Sequence, residues 1–159
     1  MSTRCNILIE DGPHKIWLYR HHDGYPADTG ANIAKVLKHL NIDRTSRASI
    51  FAPVTNALLA QRGPDYGRGD GPSILYEVTT EEHGDIEWRY DITRSPTGVV
   101  VIQVREFSWS RYHADYEFDQ HRGWKIHSPR TVQAFRKYVA FELAAMRQRI
   151  KEFKRKQRA

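Results

Sequence analysis

Apolar and polar positions alternate from the start of the chain. Cys5, Ile7 and Ile9 alternate with Asn6, Leu8 and Glu10, the period of a β-strand. Asp11-Gly12-Pro13 signals a turn, and Ile16, Trp17, Leu18 and Tyr19 resume an apolar run, so the pattern predicts a β-hairpin. After the Gly24-Tyr25-Pro26 break the period changes. Ile33, Val36, Leu37 and Leu40 follow the spacing of one buried helical face, with Asp28 or Thr29 as cap and an end near Asn41. A weaker helical pattern over 46–61 places Ile50, Val54, Leu58 and Leu59 together, interrupted by Pro53.

The glycine- and proline-rich stretch 63–72 predicts a surface loop rather than a domain boundary. Three strands are then expected to pair consecutively as a meander: 74–80, 86–93 and 99–107, with turns at Glu82-His83-Gly84-Asp85 and Ser95-Pro96-Thr97-Gly98. In the middle strand Ile86, Trp88, Tyr90 and Ile92 share one face, and Glu87, Arg89 and Asp91 the other, which suits a sheet wet on one side. Residues 109–124 show no period and are expected to form an irregular connection. Ser128-Pro129 reads as a helix start. Beyond it Val132, Phe135, Val139, Leu143, Met146, Ile150 and Phe153 recur every three or four residues, predicting one long amphipathic helix. At 1.5 Å per residue, a helix of about 28 residues outruns the body of a small domain, leaving Ile150 and Phe153 uncovered.

The expected architecture is a single α+β domain over residues 1–159. An antiparallel sheet, made of the N-terminal hairpin plus the three-stranded meander, is packed by helices, and 147–159 form a basic helical extension. A length of 159 residues, 40% of them hydrophobic and 28% charged, suits one core. Cys5 is the sole cysteine, which excludes an intramolecular disulfide and multi-cysteine metal sites and reads as a buried small hydrophobe. The start lacks an apolar leader and no run approaches a membrane span. The expected location is cytoplasmic, without a membrane partner.

Charge changes the picture at one end. Residues 147–159 carry Arg147, Arg149, Lys151, Lys154, Arg155, Lys156 and Arg158 against Glu152 alone. That segment's net charge equals the +6 of the whole chain and leaves residues 1–146 formally neutral. Attraction to a polyanion is therefore expected at that end, with self-association through the same helix as a further expectation.

The densest polar segment is Tyr19-Arg20-His21-His22-Asp23-Gly24-Tyr25-Pro26, where a strand gives way to a helix. It supports turn chemistry from Asp23-Gly24, a ligand pocket built from Tyr19, Arg20, His21, His22, Asp23 and Tyr25, or a metal or catalytic site. Adjacent His21 and His22 on a strand point to opposite faces, which weighs against the last. A second cluster interleaves Trp109, Arg111, Tyr112, His113, Tyr116, Phe118, Arg122, Trp124 and Lys125. That composition stacks bases and clamps phosphates, or plugs the end of a small core. From it Trp109, Arg111 and Tyr112 join the candidate ligand-binding residues. Phosphate-loop, nucleophile-elbow and His-Glu-x-x-His signatures are missing from the sequence, so no catalytic residue, metal ligand or cofactor is assigned. A metal-assisted phosphodiesterase, with His113, Asp115, His121 and His127 meeting His21 or His22, stays an alternative.

The opening Thr3-Arg4-Cys5-Asn6-Ile7, together with Tyr19 to Pro26, resembles a family of small proteins from phages, prophages and other mobile elements. Its members begin with Thr-Arg and carry a Tyr-x-His-x-Asp-Gly-Tyr-Pro segment after the first hairpin. The resemblance covers some 25 N-terminal residues, and the basic C-terminal helix has no counterpart in it. It implies a viral accessory role, including the countering of a host defence component, and supplies no catalytic or binding residues. The resulting expectation is a non-catalytic protein that binds a nucleotide or nucleic acid, in order to sequester it. The alternatives are a protein-interaction module acting through the C-terminal helix and the phosphodiesterase.

Overall fold

The computed structural model describes residues 3–42, 48–63, 74–107, 124–127 and 130–157. The first hairpin forms as the alternation requires: β1 (Cys5–Asp11) pairs antiparallel with β2 (His14–Arg20) in the register Ile7 to Leu18, around a turn in which Gly12 takes φ 59°. A π-helical turn (Pro26–Gly30) leads into α1 (Ala31–His39), and α2 (Phe51–Leu59) follows. The remaining elements are β3 (Glu77–Thr79), β4 (Trp88–Arg94), β5 (Val100–Phe107), β6 (Trp124–Ile126), β7 (Arg130–Thr131) and the long α3 (Val132–Lys156).

The described strands form one sheet in the order β3-β2-β1-β4-β5-β6, with β7 pairing further along β5. This corrects the expected antiparallel meander in two ways. β1 lies parallel to β4, Ile7 opposite Tyr90, so the sheet is mixed, though most of its pairings are antiparallel. β3 pairs with β2 at the far edge, so the hairpin separates it from β4. The predicted turn at 82–85 is instead part of a crossover against one face of the sheet. There the His83 carbonyl accepts from Asn6 Nδ2 (3.0 Å), and the His83 ring stacks on Tyr19 at 4.0 Å.

Helices cover the other face. Ile7, Ile9, Leu18, Tyr90, Ile92, Ile102 and Val104 meet Ile33, Val36, Leu37, Ile50, Val54, Leu58, Phe135 and Val139 in one buried cluster. The face touched by the crossover is more than a wetted surface. Asp91 is buried and takes Arg89 at 2.7 Å and Arg105 at 3.0 Å, while Arg89 also reaches Glu82 and lies over the Trp17 ring. The polar alternation in β4 thus encodes an ion network in which each charge withdrawn from water has an opposite partner.

Helix ends follow local chemistry. α1 stops in a Schellman arrangement: Asn41 takes φ 51°, Asn41 N–H bonds the Lys38 carbonyl, and Ile42 N–H bonds that of Leu37. Pro53 sits in the first turn of α2, where a missing N–H costs little, so it does not break the helix. α3 starts three residues later than Ser128-Pro129 suggests, and those two residues lie outside the described set, as do 46 and 47 at the expected start of α2. Arg130 and Thr131 stay extended because they pair with Ile102 and Val101, and Thr131 then caps α3 by accepting from Ala134 N–H at 3.3 Å.

Asp11 ties the first hairpin to the helical layer. Its carboxylate accepts from Ser49 Oγ (2.7 Å) and from Ile50 N–H (2.9 Å), with Arg94 3.7 Å away. Burial pushes this carboxyl up, but the bonds from Ser49 and Ile50 and the Arg94 charge outweigh it and hold it below 3.8. Asp11→Ala is expected to lower stability by about 1–2 kcal/mol at neutral pH. A carboxyl depressed on folding stabilises fully above its unfolded value and loses that contribution as pH falls through its folded value. Urea denaturation should therefore show wild type and variant converging as pH drops below 3.8.

Candidate functional site

The segment after β2 closes on itself. Arg20 is buried, and its Nη1 donates to Asp28 Oδ1 (2.8 Å) and Thr29 Oγ1 (2.9 Å). Asp23 Oδ2 lies 3.9 Å from Nη2, and the guanidinium carbon is 5.6 Å from the Tyr76 ring centroid. Thr29 passes the chain of bonds on to the Asp23 carbonyl at 2.9 Å. Asp23 itself takes φ 56°, and Gly24 comes so close to β1 that an added Cβ would sit 2.7 Å from the Arg4 carbonyl carbon. Glycine is required there by contact rather than by φ. Tyr90 Oη donates to the Gly24 carbonyl at 2.7 Å and fastens the turn to β4.

These contacts split the sequence-predicted cluster. Arg20, Asp23 and Tyr25 gather on the helical side, where the Tyr25 hydroxyl donates to Asp23 at 3.3 Å. Tyr19 goes to the opposite face, stacked on His83 and edge-on to His21, and His21 Nε2 lies 3.1 Å from Glu77 Oε1. His21 and His22 are both exposed. Cys5 is fully buried, and burial pushes its thiol up to about 12, which closes it to nucleophilic chemistry. Among the described residues no group of three or more His, Cys, Asp or Glu side chains is placed to hold a metal ion. Trp109, Arg111 and Tyr112 lie outside the described residues, as do His113, Asp115, His121 and Arg158.

Of the predicted aromatic residues, Tyr25 reaches a cleft. It joins Pro26 and Ala27 of the π-helical turn, Trp88 of β4, Glu106 of β5, His127, and Tyr138, Glu142, Met146 and Arg149 of α3 around a cavity of about 430 Å³. His127 is placed there because β6 and β7 both follow β5 and its own N–H bonds the Val104 carbonyl at 3.0 Å. Its ring packs 6.2 Å from that of Trp88 and 5.9 Å from that of Tyr138, and its Nε2 lies 3.5 Å from Glu106. Burial, with the nearby Glu142 and Glu106 charges, pushes the Tyr138 phenol up to about 12 against the pull of Arg130. Two carboxylates and one guanidinium line the cleft, so its interior favours hydrogen-bond donors and aromatic faces over anions.

Sequence reading missed Trp88, Glu106, Tyr138 and Glu142 as site residues, since they come from three separate elements. One signal was present: Tyr138, Glu142, Met146 and Arg149 are spaced by four, four and three, a second row on α3 that meets its apolar stripe at Met146.

The far end of α3 packs against nothing described. Val132, Phe135 and Val139 are buried, the next turns are half-buried, and every residue from Arg147 to Gln157 is exposed. With 100° between successive residues, Arg147, Lys151, Lys154 and Arg155 form one row, and Arg149 and Lys156 a second row on the cleft side. Ile150 and Phe153, 44% and 62% exposed, continue the apolar stripe between these rows. Glu152, the only acid there, accepts from Gln148 at 2.9 Å.

With its guanidinium engaged by Asp28 and Thr29, Arg20 holds the turn together. Arg20→Ala should lower stability by about 2 kcal/mol, less than a fully buried pair because Asp28 is 40% exposed. A urea midpoint shift reads this directly, and an unshifted midpoint would return Arg20 to ligand binding. The chain matches no protein-family model, no curated protein and no solved structure.

Proposed function

We propose that this protein is a non-catalytic nucleic-acid-binding protein that engages a polyanionic strand through the projecting basic end of α3. The observation that carries this reading is the exposure of Arg147, Arg149, Lys151, Lys154, Arg155 and Lys156 together on a helix end that leaves an otherwise neutral chain. Phosphate binding gains from the release of condensed counterions, and two rows of cations on one rod give a strand several phosphate contacts without any pocket. A soluble nucleotide held at Arg20 is less well supported, because that guanidinium is already matched by carboxylates inside the fold. The N-terminal resemblance to phage and prophage proteins supports a viral accessory setting, in which sequestering nucleic acid would counter a host defence component. Among the described residues no helix is long and apolar enough to cross a membrane.

Exposed Ile150 and Phe153 favour a second reading, in which the same helix grips a protein or a second copy of this chain. Sedimentation with concentration separates the two. Ile150→Asp should dissociate an oligomer built on the stripe and leave strand binding intact.

For a single strand meeting six cations, the logarithm of affinity should fall against the logarithm of salt with a slope of about −4. Replacing Lys151, Lys154, Arg155 and Lys156 together by alanine should reduce that slope to about −1 and weaken binding at every salt concentration. Fluorescence anisotropy with a labelled oligonucleotide measures both quantities. Salt-independent binding, or binding unchanged in the fourfold variant, would overturn this proposal.

A further inference from the structure

The cleft at the root of the basic helix has a composition opposite in sign to that helix. Its walls are aromatic, from Tyr25, Trp88 and Tyr138, and its polar groups include the carboxylates of Glu106 and Glu142. A phosphate inside would meet two carboxylates against the single guanidinium of Arg149, whereas a flat, uncharged ring rich in N–H donors would meet stacking surface and acceptors. Glu106 has interactions of its own, with His127 Nε2 3.5 Å away. Among the described residues, Glu142 makes no hydrogen bond or ion pair, which leaves its carboxylate as an open acceptor within the cleft.

Arg149 belongs at once to the cleft lining and to the basic segment. With Lys156, seven residues on, it forms the row of cations on the cleft side of α3. A strand held along that row has phosphate contacts outside the cleft and a base within reach of its interior. At about 430 Å³ the cavity is within the range of small-ligand pockets and exceeds the volume of one base.

We propose that the cleft bounded by Tyr25, Trp88, Tyr138 and Glu142 takes one unstacked guanine of a bound single strand, its base stacked on the aromatic walls and its Watson–Crick edge read by Glu142. This rests on the strand-binding reading above and adds a base preference to it. The choice of base follows from donor patterns. Guanine presents N1–H and the N2 amino group side by side, a pair that a carboxylate accepts with both oxygens. Thymine and uracil offer one N–H between two carbonyl oxygens that a carboxylate repels. Adenine and cytosine place an acceptor nitrogen next to their amino group.

The test uses the full chain and three labelled fifteen-residue strands: all thymine, the same strand with one central guanine, and the same with one central hypoxanthine, which keeps N1–H and lacks the N2 amino group. Affinity should rise about tenfold from thymine to guanine, with hypoxanthine between. Glu142→Gln, at a half-buried surface position that circular dichroism can confirm as folded, should remove the guanine preference while leaving all-thymine binding and its salt slope unchanged. Equal affinities for the three strands with salt dependence intact would overturn the base-reading cleft and leave strand binding standing. Absence of binding to all three at low salt would overturn both. A guanine preference that survives Glu142→Gln would overturn the role given to Glu142.

Discussion

A guanidinium withdrawn from water must be matched by charge, and the pairing of Arg20 with Asp28 does this where the sheet hands the chain to the helices. Much of the functional geometry depends on it. The pair fixes the turn from Asp23 to Thr29, presses Gly24 against the Arg4 backbone and the Cys5 side chain, and brings Gly30 against Val139 and Phe135 of α3. Tyr25 and Pro26 are thereby placed on the cleft, and α3 is held at its root while its other end, from Arg147 to Gln157, is exposed. The same interaction that engages the Arg20 guanidinium inside the fold builds the surface on which binding is proposed.

The sheet divides labour between its faces. One carries the aliphatic core with α1, α2 and α3, and the other carries the Arg89–Asp91–Arg105 network with the 80–87 crossover against it. Locating the cleft at the edge of the helical face places its carboxylates beside the first turns of the exposed basic helix. An amphipathic helix with a half-buried root and a strongly cationic end can be anchored by burial and still offer nearly its whole circumference beyond Met146.

Elements with a local signal were legible in the sequence. The Cys5–Ile9 alternation, the Ile33–Leu40 face and the long stripe from Val132 each appear where the pattern places them, because period and burial are set within a few residues. Strand partnership was not legible. Glu82 to Asp85 has good turn residues, yet their bonds go to Arg89, Asn6 and Arg4, and the edge at β4 is taken by β1 in parallel. Nothing near residue 85 records that competition. The start of α3 shows a smaller form of the same effect: Ser128 and Thr131 are both good caps, and pairing of Thr131 with Val101 selects the later one.

The candidate site was legible in part. The charge of 147–156 and the overhang of α3 follow directly from composition and length, and Tyr25 was singled out by its place in a dense polar segment. That segment's density, however, reflects folding work: Arg20, Asp23 and Gly24 hold a turn, and Tyr19 and His21 leave for the other face. The cleft joins residues more than 60 positions apart, and only the Tyr138–Arg149 stripe hinted at it. Lysine footprinting by mass spectrometry, with and without a single-stranded oligonucleotide, tests the central claim most directly. The account predicts protection of Lys151, Lys154 and Lys156 with unchanged reactivity at Lys15, Lys35 and Lys38, which are also exposed. Protection of the latter group, or of none, would contradict it.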